Sequence, residues 1–153
     1  MDFSLKVGSP VPDFSLMADN GDMITLSHFN GQKVVLYFYP KDDTSGCTQQ
    51  ACDFRDHRSD FAAKGVVILG VSRDSNASHQ KFKSKYTLNF PLLTDEDGKV
   101  CEAYGVWQQK SMYGKTYFGI ERSTFLIDEN LCFQKVWRKV KVTDHFQDVL
   151  KAL

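Results

Sequence analysis

The 153-residue chain lacks several features that would each point to a class of function. It has no excess of charge: 19 Lys and Arg residues balance 19 Asp and Glu residues, for a formal net charge of +0. No electrostatic footprint stands out, which argues against a nucleic-acid or anionic-membrane partner. It has no long apolar run. The longest, residues 34–39 and 66–71, are strand-sized and far short of the ~20 residues a membrane span needs. The opening Met1-Asp2-Phe3-Ser4-Leu5-Lys6 has no basic region followed by an apolar core, so no signal peptide and a cytoplasmic location are expected. There is no repeat, low-complexity tract or linker. Cysteine is limited to Cys47, Cys52, Cys101 and Cys132, which form neither a two-residue redox spacing nor a complete zinc site. His28, His57, His79 and His145 are scattered, make no metal pattern with the cysteines, and are expected at the surface. No metal or cofactor is expected.

What is present suits one domain spanning residues 1–153. A domain of this length can bury roughly 70% of its extended-chain surface, so it needs neither disulfides nor metal to fold. In a reducing compartment its cysteines then read as packing residues, metal ligands or redox groups.

Residues 11–16 alternate like a strand, Asp19-Asn20-Gly21-Asp22 is a turn signal, and Met23-Ile24-Thr25-Leu26 can pair back, giving an N-terminal hairpin. Residues 33–39 form a near-continuous apolar run, as in a strand covered on both faces, and Pro40 ends it. A helix is predicted over about residues 45–64, with Thr44 as N-cap and Gly65 as stop. Residues 66–71 give a second buried strand. Asp74 or Ser75 is placed to cap a helix ending at Tyr86. Residues 90–94 are a short extended piece, and Asp95-Glu96-Asp97-Gly98 turns into a short helix over about 99–104. Residues 105–121 read as a long loop whose aromatics fit a core or a pocket rim, with Trp107 the best rim residue. Residues 123–128 and 132–137 form a hairpin, and a last helix follows Asp144. This alternation predicts an α/β domain, a central mixed sheet flanked by helices.

The central stretch runs Tyr39-Pro40-Lys41-Asp42-Asp43-Thr44-Ser45-Gly46-Cys47-Thr48-Gln49-Gln50-Ala51-Cys52. A thiol in the first turn of a helix lies among unpaired N–H groups at the positive end of the helix dipole, and both favour thiolate. Thr44 precedes Cys47 by three residues, so its hydroxyl could face the sulfur, and the Pro40 ring would shield it from water. Such a thiolate suits attack on an O–O bond, with the donors stabilising the leaving oxygen and sulfenic acid left on sulfur. Residues five apart point about 140° apart on an intact helix. A Cys47–Cys52 bond would therefore require the first turns to unwind. The same two cysteines also fit packing at a helix start. Lys41, Asp42 and Asp43 read as turn residues, with Lys41 able to add positive potential. Cys101 and Cys132 read as packing residues, Cys101 having a rival role as a second resolving candidate.

The pattern Pro40-x-x-x-Thr44-x-x-Cys47 resembles the active-site signature of peroxiredoxins. The run from Tyr37 through Thr48, then Ala51-Cys52, Arg55-Asp56, Phe90-Pro91-Leu92-Leu93, Asp95, Tyr104-Gly105-Val106-Trp107, Gly114-Lys115 and Arg122-Ser123-Thr124-Phe125-Leu126-Ile127-Asp128, is similar to the bacterioferritin comigratory protein, or peroxiredoxin Q, branch. The likeness covers essentially the whole chain. It implies a thioredoxin-like fold and thiol-dependent reduction of hydrogen peroxide and organic hydroperoxides. Cys47 falls on the peroxidatic cysteine, Thr44 on the residue that hydrogen-bonds peroxide, Pro40 on the shielding proline and Arg122 on the arginine that reaches the thiolate. A guanidinium there favours the thiolate and orients peroxide oxygen. Cys52 matches the resolving cysteine of members that carry one on the same helix. Ser45 departs from the family, which usually has proline there, and should loosen the first turn. The resemblance further implies a monomer reduced by thioredoxin or a similar dithiol. The rival readings are a thiol–disulfide oxidoreductase that ignores peroxide, and a redox-sensing holdase or binding protein.

Overall fold

A computed structural model describes residues 6–153, so the N-terminal segment inspected for an export signal lies, but for Lys6, outside the described residues. The expected N-terminal hairpin is present as β1 (Ser15–Ala18) and β2 (Met23–Thr25), followed by a 3₁₀ turn at Leu26–Phe29. Strand β1 starts later than the alternation of residues 11–16 suggests. The Val11 N–H instead donates to the Leu131 carbonyl at 3.0 Å, and residues 11–14 lie outside the ladder.

Strand β3 (Lys33–Phe38) feeds α1 (Ser45–Asp56) and α2 (Arg58–Ala63). Then come β4 (Val66–Ser72), α3 (Asn76–Tyr86), β5 (Leu92–Thr94), α4 (Lys99–Ala103), β6 (Trp107–Met112), β7 (Lys115–Ile120), β8 (Ser123–Ile127), β9 (Phe133–Trp137) and α5 (His145–Ala152). Seven strands make one mixed sheet in the order β2-β1-β5-β4-β3-β8-β9. Strands β3, β4 and β5 run parallel, and the hairpin partners flank them antiparallel. This is the central mixed sheet flanked by helices, with an N-terminal hairpin, that the sequence predicts.

Strand β3 is central and buried on both faces, which explains its unbroken apolar run. Val34, Leu36 and Phe38 point into one core with Leu69, Tyr104, Phe125 and Phe133. Val35, Tyr37 and Tyr39 point into the other, against Cys47, Ala51 and Phe54 of α1, Phe61 of α2 and Phe82 of α3. Gly70 on β4 keeps this second core possible, since a Cβ there would stand 3.0 Å from the Tyr37 ring.

The structure corrects three expectations. The single helix over 45–64 is two, because the chain leaves helical geometry at His57 (φ −114, ψ 10). There the His57 ring takes the Asp53 carbonyl at 2.9 Å and stacks on Phe146 of α5 at 4.1 Å, so side-chain contacts outcompete helix continuation. The long loop over 105–121 is instead a separate antiparallel hairpin, β6 with β7, closing through a two-residue turn at Tyr113 (φ 52) and Gly114 (φ 77). A tyrosine in a positive-φ position is uncommon, so the turn carries no Asn-Gly or Asp-Gly signal. The histidines are not all at the surface: His79 is 0% exposed and His145 4%. His79 is held by Asp42 Oδ2 at 2.7 Å and the Leu93 carbonyl at 3.0 Å, and His145 Nε2 meets Thr124 Oγ1 at 2.9 Å, so each has partners that permit burial.

Candidate active site

The chain leaves the C-terminal end of central strand β3, turns through residues 40–44, and enters α1 with its N-terminus against the sheet. Thr44 is the N-cap by backbone geometry (φ −93, ψ 158), and its carbonyl accepts the first intrahelical bond, from Thr48 N–H at 2.8 Å. Its hydroxyl does not cap the helix; it donates to the Lys41 carbonyl at 2.9 Å and tightens the preceding turn. Cys47 is the third residue of α1, so its N–H and those of Ser45 and Gly46 have no acceptor within the helix.

Cys47 is 1% exposed, with its side chain in the core beside Tyr37, Ala51 and Phe54. One polar group reaches it from across the site: Arg122 Nη2 donates to Sγ at 3.3 Å. Arg122 sits just before β8, which pairs with β3, so the strand pairing fixes its approach. Its Nη1 donates to Gln50 Oε1 at 2.7 Å, and among the described residues it has no carboxylate partner. The guanidinium thus presents an uncompensated positive charge to sulfur. Gly46 makes room for it, since a Cβ at that position would stand 3.1 Å from Nη2.

Gln50 was not singled out from the sequence. It is 2% exposed, and its Nε2 has no partner among the described residues. The signal was available: Gln50 lies three residues after Cys47, hence on the same face of α1, where Ala51 and Phe54 are buried. Tyr37 Oη is a second buried group without a partner, and burial followed by the nearby Cys47 holds its phenol well above the usual tyrosine range.

Cys52 shares α1 with Cys47 but is half-buried, and burial raises its thiol above the ordinary value. Both are free thiols, five positions apart on one continuous helix. Cys101 is fully buried on α4, where burial and then Asp95 push its thiol up strongly, as a packing residue would be. Cys132 is half-buried in the last hairpin, its thiol 3.7 Å from the Asn130 carbonyl. Pro40 is exposed and lines a cavity of about 410 Å³ with Trp107, Lys110, Tyr117, Phe118 and Ile120, which gives Trp107 the rim position expected of it. Lys110 also borders the neighbouring cleft that contains Arg122; burial and then Arg122 lower its pKa. Asp42, expected as a turn residue, is buried at 6% exposure. Among the described residues no cluster of three or more His, Cys, Asp or Glu could hold a metal ion, and no helix is long and apolar enough to cross a membrane.

A thiol at a helix N-terminus, in a largely apolar wall, can act as an anionic nucleophile, and the N–H groups and the guanidinium without a carboxylate that face it can stabilise a leaving oxygen anion. Comparison with known proteins places the chain in a family. A model of the AhpC/TSA family matches residues 7–135. A putative peroxiredoxin Bcp from Coxiella burnetii is 53% identical over 150 residues, covering 98% of this chain and 99% of that protein. Peroxiredoxin Bcp from Bacillus subtilis is 51% identical over 150 residues, covering 98% and 96%. Among solved structures, the bacterioferritin comigratory protein of Xanthomonas campestris, described for its alkyl peroxide reduction activity, matches with a TM-score of 0.90 at 42% identity over 96% of each chain.

Proposed function

The chain belongs to the AhpC/TSA family as a peroxiredoxin of the Bcp/PrxQ branch, a thiol-dependent peroxide reductase, and from that premise we propose that Cys47 is its peroxidatic residue and Cys52 its resolving one. The observation that carries the reading is the Arg122 Nη2 contact to Cys47 Sγ at 3.3 Å, at a helix N-terminus with no competing carboxylate among the described residues. The Cys47 thiolate attacks one peroxide oxygen. The O–O bond breaks, the other oxygen leaves as alcohol or water after taking a proton, and sulfur is oxidised by two electrons to sulfenic acid. Arg122 and the N–H groups at the start of α1 bear the developing negative charge. Thr44 orients the peroxide with the acceptor capacity left after its bond to Lys41, and Pro40 walls the approach.

Cys52 then condenses with the sulfenic acid, releasing water and forming a disulfide. Because the two residues sit on opposite sides of one helix, α1 must unwind locally first. A dithiol protein, thioredoxin or a similar one, reduces the bridge. The same proposal covers a monomer folded as one domain over residues 1–153 and acting in the cytoplasm. Arg122 and Thr44 together favour the peroxidase, because neither disulfide exchange nor chaperoning needs that pair.

Peptide mapping by mass spectrometry after one equivalent of hydrogen peroxide tests the assignment. The expected product is the protein less two hydrogen atoms, with the bridge between Cys47 and Cys52. A Cys52→Ser variant should consume one equivalent and stall until a small thiol is added. Full cycling of that variant with thioredoxin would move the resolving role to Cys101.

A further inference from the structure

The turn that carries Pro40 and Thr44 into α1 is tied down far more firmly than a surface turn requires. The buried Asp42 carboxyl accepts hydrogen bonds from Tyr39 Oη at 2.6 Å and Ser78 Oγ at 2.8 Å, and shares a hydrogen bond with His79 Nδ1 at 2.7 Å. Its backbone N–H donates to Asp74 Oδ2 at 2.7 Å. His79 Nε2 lies 3.0 Å from the Leu93 carbonyl, which can only accept, so Nε2 carries a hydrogen. A carboxylate 2.7 Å from Nδ1 then requires one more proton between the two side chains, as an imidazolium–carboxylate pair or as two neutral partners. In either form, removing one leaves the other stranded in the core.

A second tie stands on the far side of the reactive segment. Arg55, in the last turn of α1, donates Nη1 to the Tyr86 carbonyl at 2.6 Å. Both ties end on α3, and Cys47 and Cys52 lie between them.

We propose that Asp42 and His79 are positioning residues for the peroxidase cycle: their buried pair pins residues 40–44 to α3, so that unwinding of α1 is confined to residues 45–53 and the Cys47 pocket re-forms at each turnover. The proposal rests on the reading of Cys52 as the resolving residue. Neither Asp42 nor His79 touches peroxide. Disulfide formation takes Cys47 away from Arg122 and dissolves the first turns of the helix. With residues 40–44 fixed, Thr44 and Pro40 remain where the next peroxide binds. The melted stretch is short and held at both ends, which limits the entropy it gains and favours refolding after reduction.

Hydrogen exchange of the reduced and the one-equivalent-oxidised wild-type protein tests this without any variant. Oxidation is expected to cost the hydrogen-bonded amides of residues 48–53 at least about tenfold in protection while those of Asp42, Ser78 and His79 keep theirs. Loss of protection at the Asp42 amide overturns the proposal. Asp42→Asn and His79→Phe, each combined with Cys52→Ser, isolate the oxidation of Cys47. That step is expected to slow about tenfold, since small misplacements of reacting groups cost that much or more. In the same variants with Cys52 retained, disulfide closure is expected to be unchanged or faster. A lowered melting temperature with the ratio of the two steps as in wild type would mark the pair as structural only and overturn the proposal. Cys47 oxidation is measured here without Cys52. A wrong resolving residue would therefore show separately, as a missing Cys47–Cys52 bridge in the wild-type peptide map.

Discussion

Two buried polar clusters flank the turn after β3, and they are finished differently. Around Asp42 and His79, both carboxylate oxygens and both ring nitrogens have partners. Around Cys47, Arg122 has no carboxylate, and Gln50 Nε2 and Tyr37 Oη have no partner among the described residues. A completed cluster holds a backbone in place, because any displacement leaves a charge or donor unpaired. An incomplete one keeps positive charge and donors available for an atom that arrives during reaction. The difference separates the cluster that holds the turn from the one proposed to carry the chemistry, although Asp42 and Cys47 lie only five positions apart in sequence.

The largest effect expected from breaking this contrast comes from the charge. Arg122→Met should lower kcat/KM for hydroperoxide about 100-fold, the loss usual for one group that stabilises a developing oxyanion. Arg122→Lys should recover only part of it, because one ammonium cannot serve both Cys47 and Gln50 as the guanidinium does. Steady-state assays with a dithiol reductant measure both variants.

A smaller effect sharpens the contrast. Gln50→Leu should cost about tenfold in kcat/KM by releasing the guanidinium, since an acceptor for a charged donor contributes on the order of 1.5 kcal/mol. Its melting temperature should stay level or rise, because a buried donor without a partner is removed with it. A drop of several degrees in thermal melts would show that Gln50 completes a structural cluster after all.

The smallest effect concerns a third buried group, behind α1. His145 packs edge-on against Phe54 and Trp137, and burial lowers its pKa from 6.5 to about 4. The unfolded chain therefore takes up the proton first as pH falls. Stability should decline from about pH 6.5 downward and level off below about pH 4, where the folded state binds it too. The loss at pH 6 relative to pH 7 should be about 0.7 kcal/mol. His145→Gln should flatten that part of the curve in denaturant melts at the two pH values. An unchanged slope would show that His145 finds a partner for its proton in the fold.

Much of this site could be read in one dimension. Pro40, Thr44, Cys47 and Cys52 lie within one stretch, and helix geometry alone implies that Cys47 and Cys52 cannot bond without unwinding. Strand β3 announced itself by its apolar run, because burial on both faces removes any alternation. Hairpin β6–β7 was hidden because its turn uses Tyr113 rather than a residue suited to positive φ. The burial of His79 and His145 was hidden because their partners, Asp42 and Thr124, lie 37 and 21 residues away in sequence.

The sequence by itself determined most of the elements and placed Cys47 in the first turn of a helix, since propensity, capping and periodicity act over a few residues. Tertiary structure decided which charges meet: that Arg122, 75 positions from Cys47, points at its sulfur, that Gln50 steadies it, and that Asp42 is buried against His79 rather than exposed in a turn. Those pairings arise from strand β8 lying beside β3 and from α3 packing over the same sheet face, and no local rule of spacing encodes contacts made across a sheet.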